Sequence, residues 1–206
     1  ARNVHKAFVY AAALLDFEVV WLWPEENRSL CGCPVTAEGL EAALKGLPCP
    51  PAAVYLTSPD YLGGLSDIPA LAEVCHRYGT VLLVDNAHGA YLHFLHASLH
   101  PIALGADLCC DSAHKTLPVL TGGAYLHTAQ ESPLTAQAKN ALSLFGSTSP
   151  SYLILQSLDM ANALLVGNQS RKIREFADAV GKLKQKLTAH GYRLHGQEPL
   201  KLTLNT

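Results

Sequence analysis

The chain has 206 residues, 49% of them hydrophobic and 16% charged, with a formal net charge of -2. That near-neutral balance gives no electrostatic reason to expect a nucleic-acid partner. No apolar run reaches the ~20 residues of a membrane-spanning helix; Phe8–Leu15 is too short and stops at Asp16.

The low charged fraction suggests a surface that partly meets another chain. The six cysteines, Cys31, Cys33, Cys49, Cys75, Cys109 and Cys110, lack paired zinc-type spacing. They are expected to act as small apolar residues of a reduced, cytoplasmic protein. The first residue is not Met and no signal-peptide pattern opens the chain, which is expected to be part of a longer protein.

In chain order, His5–Leu15 is alanine-rich and predicts a helix, and Phe17–Trp23 (FEVVWLW) predicts a strand stopped by Pro24. Glu25–Pro34 reads as loop. Thr36 caps a predicted helix that runs to Lys45 and ends at Gly46. Ala52–Thr57 is the next strand. Ser66 and Asp67 cap a helix in which Ile68, Leu71, Ala72 and Cys75 stand at i, i+3, i+4 and i+7. Gly79 ends it, and Thr80–Val84 is a continuous apolar strand of the kind covered on both faces. Ala106–Cys110 reads as a short buried strand. It leads into Asp111-Ser112-Ala113-His114-Lys115-Thr116 and is stopped by Leu117-Pro118. Gly122–His127 is a further strand. Helices follow over Leu134–Phe145, Pro150–Val166 and about Gln169–Ala189, and Pro199–Leu204 starts a new alternating strand.

Repeated strand–helix–strand units predict an α/β fold, a three-layer and mostly parallel sheet with right-handed crossovers. Residues 1–197 are expected to form a large domain lacking its N-terminal part. Residues 198–206 would begin a C-terminal α+β domain. Ligands bind such sheets outside the carboxyl ends of the strands. Three polar clusters are expected there: Ser58-Pro59-Asp60-Tyr61, Asp85-Asn86-Ala87-His88-Gly89 and Ser112-Ala113-His114-Lys115. Lys115, just after a buried strand, is expected to be shielded from water, which disfavours the ammonium and makes the amine nucleophilic. The alternative is an ordinary surface-loop lysine. A lysine, an aspartate, a stacking histidine and hydroxyls at strand ends suit pyridoxal phosphate. The lysine would hold the aldehyde carbon, the carboxylate the protonated pyridine nitrogen, and hydroxyls and imidazoles the phosphate. His93, His96 and His100 share helical i, i+3, i+7 spacing, but no carboxylate or cysteine accompanies them, so no metal site is expected.

Several motifs occur in one order along essentially the whole chain. They are Arg2-Asn3-Val4-His5-Lys6, Ser58-Pro59-Asp60-Tyr61-Leu62-Gly63, Val84-Asp85-Asn86-Ala87-His88-Gly89, Ser112-Ala113-His114-Lys115-Thr116, Leu126-His127 and Ser147-Thr148-Ser149-Pro150-Ser151-Tyr152. With them the chain resembles the pyridoxal-phosphate-dependent ornithine/lysine/arginine decarboxylases of the aminotransferase-like fold, fold type I. The resemblance implies that Lys115 carries the cofactor as a Schiff base and that Asp85 partners its pyridinium nitrogen. It places Ser112 and His114 near the phosphate, His5 on one face of the ring, Ala87 on the other, and His88 on the substrate side. It also implies a homodimer or higher oligomer with a shared active site, where Thr148 and Ser149 reach the neighbouring subunit's phosphate. The implied reaction is decarboxylation of a basic amino acid to its amine, feeding polyamine metabolism.

Plainer roles stand beside these. Asp85 could cap a turn, His5 could start a helix, and Ser147–Ser149 could be an N-cap cluster. The chain also departs from the family pattern. Ala7 stands where serine is usual, Asp60 where threonine is common, Asn86 where glutamate or serine is frequent, and Gly122-Gly123 where glutamine is expected. The family's Gly/Ser/Thr phosphate turn would lie before Arg2, and its small domain after this segment. Transamination or carbon–sulfur cleavage on the same fold, and a non-catalytic relative, stay open at this point.

Overall fold

Three parallel strands form the sheet that orders the rest of the chain, β1 (Ala53–Thr57), β2 (Val81–Asp85) and β3 (Leu108–Asp111), with β2 in the middle. A fourth, β4 (Tyr125–Thr128), pairs antiparallel with β3. The computed structural model describes residues 1–24 and 30–205. The sheet is thus α/β and mostly parallel, as the strand–helix alternation predicts.

Side chains alternate across a strand, and here the alternation separates two different faces. Val54, Leu56, Leu82, Val84 and Cys109 share one face and are at most 5% exposed. They pack against α3 (Ile68–Arg77), which buries Ile68, Leu71, Ala72, Val74 and Cys75, and against Leu40 and Leu44 of α2 (Ala37–Lys45). Both helices begin where their caps predict. The Thr36 hydroxyl accepts the Gly39 N–H at 3.0 Å, and the Asp67 carboxylate accepts the Ala70 N–H at 3.3 Å. Gly79 follows α3 with φ of 67°, a conformation that glycine adopts without strain. Cover on both faces, expected from the apolar strand TVLLV, is only half found. Tyr55, Leu83 and Leu108 on the other face are half-buried, because α1 (Lys6–Leu15) brings Phe8 onto Tyr55, ring centroids 4.6 Å apart, but buries none of its own residues.

Phe17–Trp23 is not a strand. Val and Trp favour strands only where a partner completes the ladder. This segment meets a neighbouring stretch through the Arg2 N–H donating to the Leu22 carbonyl at 3.1 Å. Its apolar side chains instead line a groove of about 410 Å³ with Leu44 and Tyr55. Of the expected loop Glu25–Pro34, residues 25–29 lie outside the described residues, and the remainder is irregular.

The later helices fall close to their predicted spans: α5 (Thr135–Phe145), α6 (Tyr152–Leu164) and α7 (Ser170–Ala189). A π-type turn over Leu165–Gln169 joins the last two, with Gly167 outside helical geometry (φ -77°, ψ -127°). The chain ends in a hairpin, β5 (Arg193–His195) with β6 (Thr203–Asn205), in which Leu194 faces Leu204. Here β6 begins at Thr203 rather than Pro199. Pro199 has no N–H, the Leu200 N–H is engaged by the Tyr91 hydroxyl at 3.3 Å, and the Lys201 N–H by the Glu198 carboxylate. Among the described residues no helix is long and apolar enough to cross a membrane.

Leu71 is fully buried whereas Leu183 on α7 is 44% exposed. Leu71→Ala is expected to cost about 2–5 kcal/mol of stability and Leu183→Ala less than about 1 kcal/mol. Urea unfolding of the two variants checks this, and equal losses would show that α3 does not form the core.

Candidate active site

Because β1, β2 and β3 run the same way, their carboxyl ends share one edge, and the three polar clusters meet there. Backbone bonds stitch the turns together: the Ser58 N–H donates to the Asp85 carbonyl and the Asn86 N–H to the Cys110 carbonyl, each at 3.0 Å. Asp85 closes β2 and is 7% exposed. Its carboxylate accepts the Tyr55 hydroxyl at 3.1 Å, the Ala87 N–H at 3.2 Å and, more distantly, the Cys110 thiol at 3.8 Å. Burial, reinforced by the Asp85 charge, pushes the Tyr55 hydroxyl far above its ordinary range and the Cys110 thiol up to about 12. Both therefore remain protonated donors. Asp85 is thus a buried anion held by neutral groups, and among the described residues no cation pairs with it.

Lys115 sits on α4 (Ala113–Thr116), a single helical turn directly after β3. It is exposed, contrary to the shielding expected from its place behind a buried strand. The helical turn is the reason. Ala113 points into the core at 0% exposure, and a residue two positions on faces the opposite way. The amine is nevertheless not isolated, since Nζ lies 3.4 Å from Nε2 of His88. The His88 ring stands edge-on to Tyr61 at 5.6 Å, and the Lys201 Nζ donates to the Tyr61 carbonyl at 3.0 Å. Burial lowers the His88 pKa from its ordinary 6.5, the charges of Lys115 and Lys201 lower it further, and Asp85 partly opposes them. His88 is accordingly a neutral imidazole at pH 7.

The other expected site residues divide by position. Ala87 follows Asp85 and is half-buried, and Ser112 is half-buried between β3 and α4. His114 uses Nδ1 to donate to the Gly123 carbonyl at 2.9 Å, leaving Nε2 available. The departure at Gly123 is therefore where the chain anchors His114. His5 caps α1, its Nδ1 accepting the Ala7 N–H at 3.2 Å, which is the helix-start role. The Ala1 amine donates to the Tyr55 carbonyl at 2.7 Å and the Thr57 hydroxyl to the Asn3 carbonyl at 3.5 Å. These bonds run Ala1–Asn3 along β1 and set Asn3 beside Thr57, at the carboxyl end of that strand. Thr148 and Ser149 lie on an exposed turn between α5 and α6, and among the described residues no hydrogen bond links them to Lys115.

Tyr55 and Lys201 were not anticipated from sequence. A tyrosine inside a strand looks like core, and Lys201 comes from a segment expected to begin another domain. Asp60, a second departure, accepts the Leu62 and Gly64 N–H groups at 2.9 and 2.7 Å and so shapes the turn that presents Tyr61.

A second polar cluster lies on the opposite sheet face. Register pairs Asp85 with Cys110, so the next residue, Asp111, points away from Asp85. Its Oδ2 lies 3.0 Å from Nε2 of His100 and 3.1 Å from Nε2 of His127, and Oδ1 accepts the Asn86 amide at 2.6 Å. Burial raises the Asp111 pKa, but the bonds from His100, His127 and Asn86 outweigh it and hold the carboxyl well below the usual carboxylate range. The expectation that no carboxylate or cysteine accompanies the three spaced histidines is thereby corrected. They do not share a helix. His93 lies in the last turn of a 3-10 helix over Ala90–Phe94, His96 is exposed beside Asp178, and His100 is buried with Asp111 and Cys109.

The family model for the Orn/Lys/Arg decarboxylase major domain matches residues 1–203. The uncharacterized protein YaaO of Bacillus subtilis is 34% identical over 190 residues, which cover 89% of this chain and 39% of that protein. An arginine decarboxylase of Halalkalibacterium halodurans is 32% identical over 169 residues, 81% of this chain and 34% of its own length. The chain thus spans well under half the length of these relatives. Among solved structures, the constitutive lysine decarboxylase of E. coli superposes with a TM-score of 0.70 over 91% of this chain and 28% of that one, at 24% identity. The fold is that of part of a PLP fold type I large domain.

Lys115→Ala removes one of the two cations that depress the His88 ring. The His88 titration, followed by NMR in the protein without added ligand, is expected to midpoint below 6.5 and to move up in the variant. An unchanged midpoint would separate the two side chains.

Proposed function

We propose that this chain, which belongs to the Orn/Lys/Arg decarboxylase family, is the core of a pyridoxal-phosphate-dependent decarboxylase acting on a basic amino acid: arginine, lysine or ornithine. The observation that carries this reading is Asp85, a buried carboxylate at a strand end with neutral donors only, beside the Lys115–His88 pair. Burying an anion without a cation is costly, and a protonated pyridine nitrogen is the cation that such a position suits. The residues present therefore fit the cofactor. Lys115 Nζ would attach it and Asp85 would hold its ring nitrogen. Ala87 and His5 would flank the ring, and Ser112 with Nε2 of His114 would face the phosphate. When bound, pyridoxal phosphate supplies an electron sink for the pair left behind as carbon dioxide departs.

The chain's own residues have definable tasks. The Tyr55 hydroxyl and the Ala87 N–H fix both oxygens of Asp85, so the carboxylate is oriented before a ligand arrives. His88, kept neutral by burial and nearby cations, can accept a proton from the Lys115 amine and return it across 3.4 Å. Ala113 and Leu117, both buried, lock the turn that presents Lys115.

The active unit in this reading is a homodimer or higher oligomer in the cytoplasm. Leu142, Leu144, Phe145, Tyr152 and Leu153 flank Thr148 and Ser149 and are at least 51% exposed. An apolar surface of that kind suits burial against a second copy, and it would bring the two hydroxyls to a neighbouring site. The amine produced would enter polyamine metabolism.

The full-length protein is expected to take up pyridoxal phosphate with visible absorbance and to release carbon dioxide from at least one of the three basic amino acids. Lys115→Ala should lose that absorbance and lower turnover on the order of a thousandfold or more. Keto-acid formation without carbon dioxide would assign the fold to transamination instead. A protein that stays colourless with added cofactor would overturn the assignment of Lys115 and Asp85 together.

A further inference from the structure

We propose that His100, Asp111 and His127 form a binding site for a divalent transition-metal ion of the zinc type, on the sheet face opposite Asp85. The three ligands come from separate pieces of chain: His100 from just before the 3-10 turn Pro101–Leu104, Asp111 from the end of β3, and His127 from β4. Their donor atoms all lie within 4.8 Å of one another. A tetrahedral zinc ion with ligands at ~2.0–2.2 Å has ligand–ligand edges of about 3.3 Å. The observed edges from Asp111 Oδ2 to the two Nε2 atoms are 3.0 and 3.1 Å, so opening them by a few tenths of an ångström admits the ion.

The ring placement agrees independently. Two imidazoles bound through Nε2 at tetrahedral angles have centroids about 5 Å apart. Those of His100 and His127 are 5.1 Å apart and cross at 86°. The surroundings are also those of a metal centre. Ligating carboxylates are normally held by a further hydrogen bond, and the Asn86 amide holds Oδ1 at 2.6 Å, leaving Oδ2 as the single oxygen facing both rings. Cys109 Sγ stands 3.7 Å from Nε2 of His100 but is not among the donor atoms that lie mutually close. The fourth ligand would be water, because the cluster opens onto a cavity of about 640 Å³ lined by His93, Tyr125 and Asn162 among others. The side chains of His100 and Asp111 are 7% and 2% exposed, while His127 at 38% provides the way in. Two imidazoles and one carboxylate favour zinc, cobalt, nickel or iron over magnesium or calcium.

Bound there, the ion would tie β3, β4 and the loop before Pro101 behind Asn86, the residue next to Asp85. The site does not depend on the decarboxylase reading and can be tested without activity. The full-length protein, stripped with a chelator, is titrated with zinc by calorimetry and with cobalt(II) by visible spectroscopy. One equivalent is expected to bind with a cobalt ligand-field band. Affinity should fall at least about tenfold in His127→Gln and in Asp111→Asn. Zinc should also raise the melting temperature of the parent protein but not of His127→Gln. That variant changes the most exposed ligand, and circular dichroism confirms its fold. Binding of equal affinity in the parent and both variants, or no stoichiometric binding by the parent, leaves the trio a hydrogen-bonded strut and overturns the proposal.

Discussion

Parallel pairing of β2 between β1 and β3 is the constraint on which the other features rest. It sets Thr57 beside Asp85 and Asp85 beside Cys110, so that three turns leave the sheet at one level. It also decides what lies on each side. A one-residue slip of β3 would exchange Cys110 and Asp111 between faces. Asp85 would then meet a second carboxylate in place of a thiol, and His100 and His127 would lose their anion. The apolar face formed by Val54, Leu56, Leu82, Val84 and Cys109 against α3 prevents that slip, because shifting the register would turn buried side chains out to solvent.

Much of this was legible in the sequence, for physical reasons that differ from element to element. The capped helices α2 and α3 were readable because Thr36 and Asp67 act within three residues, and local chemistry needs no tertiary knowledge. The strands β1, β2 and β3 were readable as apolar runs between turn residues. Phe17–Trp23 has the same composition, yet a strand is a relation between two segments, and composition does not report whether the partner is there. The hairpin strand β5 is three residues long and carries Arg193 and His195 exposed, so neither length nor hydrophobicity marks it.

The site divides in the same way. The Asp85, His88 and Lys115 positions follow from motifs read at strand ends, and the structure brings His88 and Lys115 together. The exposure of Lys115 was not readable, because it depends on which way a single helical turn faces. Tyr55 and Lys201 were not readable either, since each acts through tertiary contacts with residues distant in sequence. His100 illustrates the point most sharply. Judged by its neighbours in sequence it belongs with His93 and His96, whereas its partners in space are Asp111 and His127, supplied by β3 and β4.

One further consequence comes from the C-terminal hairpin. The Gln197 and Glu198 N–H groups donate to the Gly63 carbonyl at 2.8 and 2.9 Å, the Thr203 hydroxyl to the Leu62 carbonyl at 2.9 Å, and Lys201 to Tyr61. Gly196 runs so close to Gly63 that a Cβ there would strike its backbone. Tyr61, the aromatic neighbour of His88, is therefore carried on a loop clamped to the last strands of the chain. Thermodynamic reciprocity follows from such a clamp. Whatever orders the hairpin must order the Tyr61 loop by the same free energy, and a ligand that settles beside His88 returns that stabilisation to the hairpin.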